Sequence, residues 1–105
     1  MTKEEELFHQ LGQAIDNSEK GQLFGKPCYK INTKAYCCFF QNSMVFKLNG
    51  QAHKKALALE DASLFDPSGK NRPMKEWVQV PFEHNELWAE LVEQAVKYLS
   101  EKNNI

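Results

Sequence analysis

With 105 residues the chain is the length of one compact domain, and hydrophobic and charged fractions of 42% and 26% exclude a disordered or fibrous polymer. Lys and Arg number 13 against 14 Asp and Glu, so the formal net charge of -1 makes no whole-chain case for a nucleic-acid or membrane partner.

Residues 4–17 place Leu7, Phe8, Leu11, Ala14 and Ile15 three and four apart, which predicts an amphipathic helix with one buried face. Thr2 followed by Glu5 fits a capping box ahead of it. Asn17-Ser18-Glu19-Lys20-Gly21 reads as the turn that stops this helix, and Phe24-Gly25-Lys26-Pro27 as a second break. From Cys28 to Leu48 the period changes to two. Three β-prone runs, residues 28–31, 35–40 and 44–48, are separated by Asn32-Thr33-Lys34 and Gln41-Asn42-Ser43 and predict an antiparallel meander. The middle run is apolar throughout, as a central strand covered on both faces would be, while Lys30 and Lys47 mark polar faces on its neighbours.

Residues 50–60 predict a short helix containing Ala52, Ala56, Leu57 and Leu59. Leu64-Phe65 and Trp77-Val78-Gln79-Val80 predict late strands joined by a long polar connection over residues 66–75. Residues 85–102 set Trp88, Leu91, Val92, Ala95, Tyr98 and Leu99 at helical spacing. The expected fold is α+β: an antiparallel meander of about five strands packed by amino- and carboxy-terminal helices, in a single domain over residues 1–105.

The first residues are acidic and polar, without the basic-then-apolar order of a signal peptide, and the longest nearly apolar run, residues 35–40, is far shorter than the roughly 20 residues of a membrane span. A cytoplasmic protein with no membrane partner is expected. Cys28, Cys37 and Cys38 are an odd number with two adjacent, so no disulfide framework is indicated, and Cys37 and Cys38 on one strand would face opposite ways. No Cys-x-x-Cys pattern supports a metal or redox site, and His9, His53 and His84 sit on three different predicted elements. No catalytic residue, cofactor or metal is assigned.

Charge divides by segment. Residues 1–19 carry Lys3 against five acids, a balance of -4, and residues 81–105 carry Lys97 and Lys102 against five glutamates, a balance of -3. Residues 20–80 hold ten cations against Glu60, Asp61, Asp66 and Glu76, a balance of +6. A basic sheet face with Tyr29, Tyr36 or Trp77 beside its lysines would combine phosphate attraction with base stacking. Lysines on strand edges also oppose aggregation without binding anything. The connection Asp66-Pro67-Ser68-Gly69-Lys70-Asn71-Arg72-Pro73-Met74-Lys75 offers amides and cations to an anion, yet lacks a phosphate-loop pattern. Its simpler account has Asp66 and Ser68 fixing turns, with Met74 and Trp77 plugging the core edge.

Phe24-Gly25-Lys26-Pro27-Cys28-Tyr29-Lys30-Ile31, followed by Lys34-Ala35-Tyr36-Cys37-Cys38-Phe39-Phe40 and Met44-Val45-Phe46-Lys47-Leu48, resembles the TfoX amino-terminal domain family. Leu64-Phe65-Asp66-Pro67, Trp77-Val78-Gln79-Val80 and the final helix are similar to the related YjbR and YdhG groups. The resemblance implies a secretion-chaperone-like α+β architecture and no known enzyme. In TfoX proteins such a domain is joined to a second one and serves competence regulation, and YjbR-type domains are described as DNA-binding-like by fold analogy. The expectation is a non-enzymatic binding or regulatory module for a protein partner, with nucleic acid as the alternative and a homodimer as a further arrangement. The candidate surface is Lys26, Lys30, Lys70, Arg72, Lys75 and Trp77.

Overall fold

Thr2 opens the first element with one half of the expected capping box: its Oγ accepts from the Glu5 backbone N–H at 3.2 Å, capping α1, Lys3–Gln13, while the Glu5 carboxylate turns to His9 rather than back to Thr2. The structure, a computed structural model, describes residues 1–103. Six strands follow in one antiparallel sheet: β1, Glu19–Leu23; β2, Lys26–Ile31; β3, Lys34–Phe40; β4, Ser43–Lys47; β5, Ser63–Phe65; and β6, Met74–Pro81. Their spatial order is β1-β2-β3-β4-β6-β5. Helix α2, Gly50–Leu57, follows β4, and a 3-10 segment, Phe82–Leu87, leads from β6 into α3, Trp88–Asn103.

The α+β class and the antiparallel sheet agree with the sequence reading, while the strand count rises from about five to six. The additional strand is β1: residues 19–23, part of which reads as a helix stop, pair along their whole length with β2. Glu19-Lys20-Gly21-Gln22-Leu23 has no apolar alternation to announce a strand, so backbone pairing to β2 makes it one. The first three hairpins close through two-residue turns, Phe24-Gly25, Asn32-Thr33 and Gln41-Asn42, with positive φ at both positions of each. That is the type I′ geometry, whose twist matches the flanking strands.

One face of the sheet carries the helices. Phe8 of α1 and Trp88, Leu91, Val92, Ala95 and Leu99 of α3 bury Tyr29, Phe39, Met44, Phe46, Val78 and Val80. Cys37 joins this core, whereas Cys38 joins a second core on the other face, as alternation requires. A bulge interrupts that alternation once. The β2–β3 register passes from Tyr29↔Cys37 to Lys30↔Ala35, skipping Tyr36, and Tyr36 and Cys37 both belong to the helix-side core.

The second core consists of Cys28, Cys38, Val45, Phe65 and Trp77, with Leu23, Ala35, Phe40 and Met74 against it. Among the described residues no helix contributes to it. β2 and β5 are four strand spacings apart in the sheet order, about 19 Å if the sheet were flat. Yet Phe65 of β5 lies 5.2 Å from the Phe40 ring and 6.4 Å from the ring of Phe24 in the β1–β2 turn. The sheet therefore twists and curls until two distant corners meet over its helix-free face, sealing that face with its own aromatic side chains.

Candidate functional site

The corner where Phe24, Phe40 and Phe65 converge is the part of the sheet that combines exposure, aromaticity and charge. Phe24 has φ +54 and Gly25 φ +75, the first a conformation that bulky residues rarely adopt. Asn, Asp or Gly would occupy that turn position at lower conformational cost. Phe24 nevertheless stands there with 56% of its surface exposed. Two residues later Lys26 places its ammonium 5.5 Å from the centre of the Phe40 ring, a cation–π contact that orients it along the same corner.

The connection after β5 starts from this corner, because Asp66 follows Phe65 in the chain. Its fold is written by one carboxylate. Asp66 Oδ1 accepts from the Ser68 hydroxyl at 2.7 Å and from the Ser68 and Gly69 backbone N–H groups at 3.2 Å, and Oδ2 accepts from the Arg72 N–H at 3.0 Å. The turn-fixing role read from Asp66 and Ser68 is what these bonds perform. Lys70 and Arg72 are exposed on this framework, and their side chains make no hydrogen bond or ion pair with any described residue.

The Ser68 hydroxyl first, and then the backbone N–H groups, hold the Asp66 carboxyl below its ordinary value of 3.8. A depressed folded value means that the order it gives the connection is complete above pH 3.8 and is lost as pH falls through the lower folded value. Amide exchange at Gly69 and Arg72 is therefore expected to stay slow from neutral pH down to about 4, relative to unstructured amides, and to accelerate below that. An Asp66→Ala chain should show the fast exchange at neutral pH.

The other predicted surface residues separate from this corner. Lys30 is half-buried four residues along β2 from Lys26, opposite Glu19, with its side chain lying over Gly21. Lys75 is exposed at the start of β6, where its carbonyl accepts from His53 Nε2 of α2 at 2.8 Å. Trp77 is a correction: it is 6% exposed and belongs to the second core, so it offers no contact surface. Tyr29 and Tyr36 are likewise unavailable as stacking platforms, being buried under the helices. Phe24 is the residue that sequence reasoning passed over; its placement at the first position of a Phe-Gly hairpin turn was the available signal.

The histidines, Tyr36 and the three cysteines elsewhere are bonded or buried within the scaffold. His9 is buried between Tyr29 OH, 2.8 Å from Nδ1, and the Glu5 carboxylate, 3.4 Å from Nε2. Since the carboxylate only accepts, Nε2–H donates to Glu5, and in the neutral ring Nδ1 accepts from the Tyr29 hydroxyl. Tyr36 shares a 2.7 Å hydrogen bond with Ser18, and burial raises its phenol to about 12. His84 Nε2 donates to the Glu60 carbonyl at 2.8 Å. Burial raises the Cys28 thiol, pushes Cys38 up to about 12 and lifts Cys37 well above its ordinary value. All three thiols have zero exposure, so alkylation of the native protein by iodoacetamide is expected only at the rate of unfolding, with guanidinium restoring fast labelling of all three.

Among the described residues no group of three His, Cys, Asp or Glu is placed to hold a metal ion, and no helix is long and apolar enough to cross a membrane. Comparisons of the chain with protein-family models, curated proteins and solved structures returned no match.

Proposed function

We propose that this chain is a non-enzymatic binding module that docks a partner protein on the Phe24 corner, the role that its resemblance to TfoX amino-terminal domains also suggests. The supporting observation is Phe24 itself, a large apolar ring exposed at a backbone conformation that suits Asn or Gly better. Aromatic side chains and Arg are enriched in protein interfaces, where a few such anchors carry most of the binding energy. Lys26 at that corner, with the exposed Lys70 and Arg72 on the connection that leaves it, favours a partner segment that presents an apolar side chain among acidic ones. Burial of His9 and the three thiols, with His53 and His84 bonded to backbone carbonyls, favours binding over covalent catalysis.

The same aromatic-plus-cation grouping favours single-stranded nucleic acid as the second reading. Salt separates the two. Phosphate contacts release counterions, so nucleic-acid affinity falls steeply between low and physiological salt, whereas an anchored protein contact changes less. Peptides selected by display against the protein, and labelled DNA and RNA oligonucleotides, are titrated by fluorescence anisotropy at two salt concentrations.

Phe24→Asn is the decisive variant. Asparagine suits φ +54, so stability is expected to stay within about 1 kcal/mol of wild type, while peptide binding falls at least tenfold. Selection of acidic-apolar peptides that bind the Phe24→Asn chain equally well would refute the reading. Tight, strongly salt-dependent oligonucleotide binding lost in a Lys70→Glu/Arg72→Glu chain would replace it with the second.

A further inference from the structure

Helices α2 and α3 sit on the same side of the sheet, α2 over β6 and α3 over β3 and β4. Between them is a cleft of about 420 Å³, on the scale of small-molecule sites. Its origin lies in the sequence. Ala52 and Ala56, one helical turn apart, face the cleft from α2, and Leu87 and Leu91 from the other wall. Ala56 is buried in the core, and the small side chain of the half-buried Ala52 leaves open space that a longer one would fill.

Over this apolar floor the two walls present opposite charges, Lys55 from α2 and Glu90 from α3. Neither side chain makes an ion pair or hydrogen bond with any described residue, so the two line one cleft without closing on each other. A cation and an anion that line one apolar cleft without pairing match a molecule carrying both charges at one end and an apolar group at the other. We propose that the cleft binds a free apolar α-amino acid of the leucine or phenylalanine type. Its carboxylate meets the Lys55 ammonium, its ammonium meets the Glu90 carboxylate, and its side chain covers the alanine and leucine floor. An internal peptide segment supplies neither charge, and a fatty acid or an alkylamine supplies one.

Isothermal titration calorimetry of the full chain with L-leucine and L-phenylalanine tests this. Each is expected to bind at millimolar or lower concentration. N-acetyl-leucine and leucine methyl ester, which lack one charge each, are expected to bind at least fivefold more weakly, as is L-leucine to Lys55→Ala or Glu90→Ala. Ala52→Leu should abolish binding with thermal stability retained, because the added side chain occupies the cleft rather than the packed core. No heat from either amino acid at millimolar concentration overturns the proposal, as does equal affinity for the singly charged derivatives or unchanged binding by all three variants. The cleft proposal stands apart from the Phe24 corner: the Phe24→Asn chain should bind L-leucine as wild type does, and loss in that chain would count against the cleft as an independent site.

Discussion

Phe65→Ala is expected to destabilise the fold by about 3–5 kcal/mol, measured by urea or guanidinium unfolding. Phe65 has no solvent exposure and is the ring through which the curled sheet meets itself, touching Phe40 and lying beside Phe24. Removing it takes away the transfer energy of a buried aromatic and opens a cavity beside Cys28, Cys38, Val45 and Trp77, where no helix can move in to fill the space. The β1–β2 turn loses its packing partner in the same step. Weakened binding at the Phe24 corner is therefore expected under conditions where the variant is still folded. Phe65→Leu, which keeps most of the volume, should cost substantially less. A loss below about 1 kcal/mol for the alanine variant would mean that the second core does not depend on closure of the sheet.

The second large effect is expected at Gly12, where substitution by alanine should destabilise by about 2–4 kcal/mol despite alanine's better helix propensity. Gly12 is buried where α1 crosses Tyr29. A Cβ at this position would stand 2.3 Å from Tyr29 Cδ2 and 2.5 Å from Cγ and Cε2, well inside contact distance. The ring has little freedom to retreat. Its hydroxyl is bonded to His9 Nδ1 at 2.8 Å, and its edge packs against Phe8 with centroids 5.2 Å apart. Helix α1 must lift instead, straining the Tyr36–Gly12 and Tyr36–Ser18 contacts. Propensity contributes up to about 1 kcal/mol in the opposite direction, so the sign of the measured change identifies the winning effect. A double-mutant cycle with Tyr29→Ala should show strong coupling, because the overlap vanishes once the ring is removed. An additive cycle would place the cost elsewhere.

Local chemistry in the sequence accounts for much of this architecture. Thr2 caps α1, the apolar run of β3 is covered on both faces, Cys37 and Cys38 divide between two cores, and Asp66 and Ser68 fold the connection after β5. Each of these rests on neighbours in the chain, through a cap, a period or a turn. Strand β1 was illegible because it is polar and exists through hydrogen bonds to β2 rather than through a buried stripe. The candidate surface was only partly legible for the same kind of reason. Lys26, Lys70 and Arg72 read correctly as exposed cations, whereas Trp77 was enclosed when β5 and β6 curled over the helix-free face. Tyr36 was moved to the helix side by a bulge that strict alternation cannot anticipate.

Short-range patterns in the chain set the α+β class, the positions of most helices and strands, and the separation of charge into acidic ends and a basic centre. Tertiary structure alone decided which aromatic rings are covered, that Phe24 stays exposed beside Lys26, and that α2 and α3 leave a cleft between Lys55 and Glu90. The first set follows from interactions over a few residues. The second depends on the accumulated twist of a six-stranded sheet, a long-range quantity that brings together residues about forty positions apart, such as Phe24 and Phe65, and that no local window of sequence contains.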